Sequence, residues 1–194
     1  MQKKFTLFAV FLSFSSISLA QFQKGTIVPH FDIGNLRYIS IENKNYNKNN
    51  NLSFNPGAGY FIKNNWEIGV GLNFNSQNFF DTLSGGHYMR ARTFGINIYT
   101  NYYLGRGKLK PYLTFQTGWE HTTGTYSSPL IENSLRNSYF YTGIGGGLNW
   151  NISSRFSLFA EATYRRESPF NRYGHSRLNL TIGARFFFNR SKKH

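Results

Sequence analysis

Residues 177–188 read R-L-N-L-T-I-G-A-R-F-F-F and alternate throughout. Leu178, Leu180, Ile182, Ala184, Phe186 and Phe188 share one parity and are all apolar. Arg177, Asn179, Thr181, Gly183, Arg185 and Phe187 share the other and are mostly polar or small. Successive side chains of a strand point to opposite faces, so a period of two predicts a β-strand with one oily and one wet side.

The same period recurs in seven earlier segments. A first strand over residues 26–38 sets Ile27, Phe31 and Ile33 on one face; Pro29 and a phase change at Leu36 predict a bulge there. The next strands are predicted over residues 52–62, 66–75, 94–102, 109–120, 140–152 and 156–165. Their oily faces carry Phe54 and Tyr60, Trp66 and Phe74, Phe94 and Tyr102, Leu109 and Trp119, Phe140 and Trp150, and Phe156 and Tyr164. Connections alternate between short turns (residues 63–65, 105–108 and 153–155) and longer polar loops (residues 42–51, 76–87, 122–137 and 167–176). The Asn-rich run 43–51 reads as a hydrophilic loop tip.

Strands of this kind also build water-soluble barrels and sandwiches. A solvated strand face, however, carries abundant Lys and Glu, whereas the wet face here is Gly, Asn, Thr and Ser, as in the cramped interior of a narrow barrel. Trp66 with Phe74, Phe94 with Tyr102, Phe140 with Trp150 and Phe156 with Tyr164 bracket the oily face at eight-to-ten-residue spacing. On tilted strands this spans about 20–25 Å, the height of a bilayer's apolar band. No stretch after residue 20 has the roughly 18 apolar residues of a membrane helix. The fold expected is all-β: an up-and-down, eight-stranded, antiparallel transmembrane barrel.

The N-terminus predicts export. Lys3 and Lys4 precede an apolar run from Phe5 to Phe14, and Ser18-Leu19-Ala20 forms a small-residue cleavage site. The expected organisation is a signal peptide over 1–20, a barrel over 21–188 and a basic periplasmic tail over 189–194. The chain contains no cysteine, which excludes a lipid-anchored cysteine, and a closed sheet needs no disulfide. Aromatic residues make up 19% of the chain while its mean hydropathy is only −0.44, consistent with apolar residues spread over every second position.

With a signal segment, eight amphipathic strands and a last strand ending Ala184-Arg185-Phe186-Phe187-Phe188, the chain resembles the small eight-stranded outer-membrane β-barrel proteins of Gram-negative bacteria. The resemblance implies recognition by the barrel-assembly machinery through a terminal aromatic, here Phe186 and Phe188. The chain continues six residues further, whereas in that family the aromatic is usually the last residue. The family includes structural proteins, adhesins, narrow channels and lipid-modifying enzymes.

Charges on the wet face are sparse: Asp32, Glu67, Glu120, Glu161, Arg165, Arg177 and Arg185, with His30 nearby. Isolated charges in a low-dielectric lumen are costly, so these are expected to form a network that fills the barrel; the alternative is a gate over a thin water path. Arg90, Arg92, Arg136, Arg166 and Arg172 cluster towards the loops, and Lys44 and Lys48 lie there too. They are candidates for binding the phosphorylated glycolipid of the outer leaflet, lipopolysaccharide in such membranes. Arg90 and Arg92 share the parity of Phe94 and should point outward just above the apolar band.

Catalysis is not expected. His175 and Ser176 invite comparison with lipid A deacylases, but adjacent strand residues face opposite sides, and no acid is placed to orient the imidazole. Five scattered histidines and no cysteine predict no metal and no cofactor. Gly143-Ile144-Gly145-Gly146-Gly147 lacks the Lys-Ser/Thr of a phosphate loop and reads as a closely packed strand. The net charge of +14 would suit nucleic acid, but an exported barrel rarely meets any. The reading is a monomeric barrel with a structural or surface-interaction role. A narrow or gated channel for small or apolar solutes comes second and a lipid A acyl hydrolase third.

Overall fold

The computed structural model describes residues 22–34, 47–81, 87–128, 131–169 and 176–189. Eight strands follow in chain order: β1 (Ile27–Gly34), β2 (Asn47–Lys63), β3 (Trp66–Asp81), β4 (His87–Tyr103), β5 (Leu109–Ser128), β6 (Ile131–Asn151), β7 (Phe156–Pro169) and β8 (Ser176–Phe186). Each pairs antiparallel with its sequence neighbour, and β8 closes on β1 through His30↔Arg185 to Gly34↔Thr181. The result is a closed up-and-down barrel without a free lateral edge along the paired rows.

Sidedness follows the period of two. Leu178, Leu180 and Ile182 are about 60% exposed on the outside, while Asn179 and Arg185 are buried within. The same holds for β5, where Leu109, Leu113 and Phe115 face out and Lys110, Tyr112, Thr114 and Gln116 face in. An apolar exterior around a polar interior inverts the arrangement of a water-soluble protein; hydrocarbon is the solvent that makes it stable.

The short turns end as the sequence predicts. Asn65 (φ 63°) closes the β2–β3 turn and Gly105 (φ 78°) the β4–β5 turn, both in the left-handed region that Asn and Gly tolerate. Outside the membrane the expectation needs correction. Residues 76–81, 122–128 and 131–137, read as loops, continue the ladders of β3, β5 and β6, with pairs such as Thr122↔Asn137 and Ser128↔Ile131. The Asn-rich run likewise enters β2, where Asn47–Asn51 pair with Asp81–Gln77. Above the hydrocarbon both strand faces meet polar surroundings, so alternation is no longer required and periodicity gives no signal, although the backbone ladder still pairs.

The bulge expected in the first strand is absent from its described part, where Ile27↔Tyr60 to Gly34↔Ser53 run without a slip. Leu36 lies outside the described residues. The register shift falls instead between Phe61 and Lys63, in β2 against β3.

Gly145 marks a close approach. A Cβ there would lie 2.1 Å from the backbone oxygen of Ala162 and 2.8 Å from Thr163 Cα, on the neighbouring strand. Gly145→Ala should therefore force β6 and β7 apart and cost about 1–3 kcal/mol as an overpacking lesion. Equilibrium urea unfolding in lipid vesicles checks this, and an unchanged midpoint would contradict it.

Candidate functional site: a charged lumen and an outward-facing basic groove

The inward side chains form tiers. At the loop end Glu120 accepts from four donors: Arg165 Nη1 at 3.2 Å, Arg177 Nη2 at 3.1 Å, Tyr139 Oη at 2.6 Å and Asn73 Nδ2 at 3.1 Å. Arg177 Nε also lies 2.7 Å from Glu167 Oε1, and the Arg165 guanidinium stacks 4.6 Å from the Tyr141 ring. Two guanidinium groups around one carboxylate, every oxygen engaged, make a compact bolt across the barrel.

Below the bolt lies a polar cavity of about 50 Å³, bordered by His30, Asp32, Asn97, Gln116 and Glu161. Asp32 accepts from Asn55 Nδ2 at 2.5 Å, and His30 Nδ1 lies 3.3 Å from Tyr99 Oη. Lower still, Arg185 donates to Asn149 Oδ1 at 3.0 Å and to Tyr112 Oη at 3.3 Å, with its guanidinium 4.0 Å from the Phe159 ring. Tyr112 in turn donates to Glu161 at 2.9 Å.

Glu67 is fully buried and accepts from Tyr99 at 2.8 Å, Asn101 at 3.2 Å and Tyr103 at 2.5 Å. Neutral donors alone surround its oxygens, a way to hold a carboxylate by hydrogen bonds. The floor is aromatic: Phe22 packs on Phe61, Tyr103 and Phe187, with Lys110 Nζ 3.9 Å from its ring centroid.

Of the seven lumen charges named from sequence, the structure joins Glu120, Arg165 and Arg177 in one ion cluster. Asp32, Glu67 and Glu161 instead rest on amide or hydroxyl donors, and Arg185 on rings and acceptors. Glu161 shares a face of β7 with Arg165, four residues away, but is not its ion-pair partner. Glu120 on β5, two strands away, takes that place, because strand residues four apart lie roughly 13 Å apart along the chain axis. The sequence reading missed Tyr99, Tyr103, Tyr112, Tyr139 and Tyr141, whose inward parity among polar neighbours was the available signal.

The outer surface carries a second feature. Arg90, Arg92, His121 and Arg136 line a groove of about 670 Å³ across β4, β5 and β6. Register aligns Arg92, Thr123 and Arg136 in one row and Phe94, His121 and Ser138 in the row beneath. His121 Nδ1 lies 2.7 Å from Ser138 Oγ, and its ring stacks 5.9 Å from Trp119. The groove thus begins where the aromatic belt of Phe74, Phe94, Trp119 and Phe140 ends. Arg166 is exposed on β7, opposite Thr142, away from this group. Arg172, His175 and Lys44 fall outside the described residues, as do residues 1–20. Among the described residues no three His, Asp or Glu gather to hold a metal. Phe186 and Phe188 face outward, and Phe188 pairs with Ile27 in an isolated bridge below β8.

Solved structures share the architecture. Attachment invasion locus protein Ail of Yersinia pestis is 16% identical, with a TM-score of 0.55, 86% of this chain and 100% of that chain covered. A second Ail structure, at 14% identity and the same TM-score, is a complex with the heparin analogue sucrose octasulfate. Outer membrane protein OprG of Pseudomonas aeruginosa is 9% identical, with a TM-score of 0.56 and coverage of 89% and 100%. Neisserial surface protein A is 16% identical, with a TM-score of 0.53 and coverage of 85% and 98%. At these identities the likeness concerns the fold. No curated protein sequence matches the chain. The family described as outer membrane protein beta-barrel domain matches residues 6–186, so the chain belongs to that family and resides in the outer membrane of a Gram-negative-type envelope.

Proposed function

We propose that the protein is a monomeric surface-interaction barrel that binds outer-leaflet glycolipid phosphate through the groove of Arg90, Arg92 and Arg136. The observation that carries this reading is the placement of three outward guanidinium groups immediately beyond the aromatic belt, at head-group height. Arg forks match phosphate oxygens two at a time. The Ail barrel, solved with a polysulfated sugar, supports polyanion recognition on this architecture. Arg166, exposed at the loop end of β7, would add a further cation for the same lipid, and Arg172 is proposed to do so as well. Residues 1–20 act as the export signal, and Phe186 and Phe188 as the aromatic mark for the assembly machinery.

Catalysis is no part of this role. Glu120, the acid joined to the most cations, is sealed between them, and among the described residues the ring nitrogen Nδ1 of His121 meets the Ser138 hydroxyl instead of a carboxylate. A second reading, a gated conduit, draws on the polar cavity between bolt and floor. Eight strands nevertheless leave an interior nearly filled by side chains.

Mass spectrometry of lipids purified with the protein from native membranes tests the first reading. The triple variant Arg90→Gln, Arg92→Gln, Arg136→Gln should retain about tenfold less phosphorylated glycolipid, from roughly 0.5 kcal/mol per exposed charge contact. Undiminished retention would contradict the assignment, and liposome swelling above that of protein-free vesicles would favour the conduit.

A further inference from the structure

The end of the barrel opposite the basic groove carries charge of one sign. Lys24 precedes β1, Lys63 closes β2, Arg106 lies in the β4–β5 turn and Arg155 in the β6–β7 turn, and all four are exposed. Among the described residues no exposed carboxylate shares this end. The nearest acid, Glu67, is turned into the lumen and wholly buried. The loop side, by contrast, sets Glu167 against Arg177 at 2.7 Å. Four like charges around one mouth repel each other, and among the described residues no carboxylate forms an ion pair with them.

Their height identifies the missing anion. Lys63 Nζ sits 5.7 Å from the centroid of the Trp66 ring, which faces outward. Leu104, two residues before Arg106, is 42% exposed, and Ile152, three before Arg155, is 46% exposed. With Trp66, Tyr102 and Trp150 these form the lower aromatic and apolar belt, the band that marks a membrane–water boundary. The turns therefore rest in the interface, with apolar residues in acyl chains and cations at the phosphate plane, as snorkelling side chains do. Short turns of such barrels face the periplasm.

We infer that Lys24, Lys63, Arg106 and Arg155 form a ring that binds anionic phospholipid head groups of the periplasmic leaflet. The ring enriches these lipids around the barrel and fixes its depth. This site is separate from the glycolipid groove and stands on different residues at the other end of the molecule.

Tryptophan fluorescence tests it locally. The chain has three tryptophans, two of which, Trp66 and Trp150, lie in the lower belt; Trp119→Phe leaves these as the only reporters. In vesicles mixing phosphatidylglycerol with phosphatidylcholine, quenching by brominated phosphatidylglycerol should exceed that by brominated phosphatidylcholine. The excess should be about twofold and decline in high salt. Adding Lys24→Gln, Lys63→Gln, Arg106→Gln and Arg155→Gln should equalise the two, with an unchanged urea midpoint showing that the barrel is intact. Adding Arg90→Gln, Arg92→Gln and Arg136→Gln instead should leave the preference in place. Equal quenching in the starting protein, or a preference surviving the four glutamines, would overturn the inference. Cosedimentation with peptidoglycan without any lipid preference would overturn it as well.

Discussion

Glu120→Gln should lower the unfolding free energy of the barrel by about 3 kcal/mol, the low end of the range for stripping one partner from a buried ion pair. The glutamine keeps the shape of the side chain but cannot neutralise Arg165 at 3.2 Å and Arg177 at 3.1 Å. Its amide group would also point N–H donors at guanidinium donors. The low end applies because the Arg177 side chain is 31% exposed and keeps Glu167 at 2.7 Å. Arg165, with a side chain only 10% exposed, carries most of the penalty. Urea titrations in lipid vesicles, followed by tryptophan emission, supply the measurement. Combining Glu120→Gln with Arg165→Met should recover part of the loss, since the double variant removes the stranded charge with its partner. Strictly additive losses would mean the two side chains do not act together.

How far the sequence reaches depends on what surrounds each strand. Within the hydrocarbon, one face must be apolar, so the alternation of Leu178, Leu180 and Ile182 specifies strand, register and sidedness together. Residues 122–128 and 131–137 have no such requirement, and their pairing is invisible to periodicity although the ladder is continuous. The lumen shows a related limit. Parity identifies Glu120, Arg165 and Arg177 as inward, but which acid meets which base depends on tilt and stagger around the closed sheet, set by all eight strands together. Outward placement of Arg90 and Arg92 follows from the parity of Phe94, whereas the neighbourhood of Arg136 and His121 needs the β5–β6 register to appear. The five inward tyrosines were legible as positions and not as partners, because a hydroxyl's acceptor lies on another strand.

Arg185→Ala is expected to be the most damaging lumen substitution, at about 4 kcal/mol. The guanidinium lies 4.0 Å from the Phe159 ring, 4.7 Å from Tyr112 and 5.6 Å from Tyr103, so three aromatic rings surround it. Its edge donates to Asn149 and Tyr112, tying β8 to β6 and β5 across the interior. It is also the cation between Tyr112, which holds Glu161, and Tyr103, which holds Glu67. Removing it empties a slot between rings and takes a favourable charge away from Glu67 and Glu161, whose hydrogen-bond donors are all neutral. Arg185→Lys separates the contributions: it preserves the charge but not the planar stacking or the paired donors, and should recover about half of the loss. Refolding yield into vesicles and the urea midpoint of each variant give the readout. If Arg185→Lys were as damaging as alanine, planarity would be the dominant contribution; if Arg185→Ala unfolded at the parent midpoint, the slot would have no part in holding the floor of the barrel together.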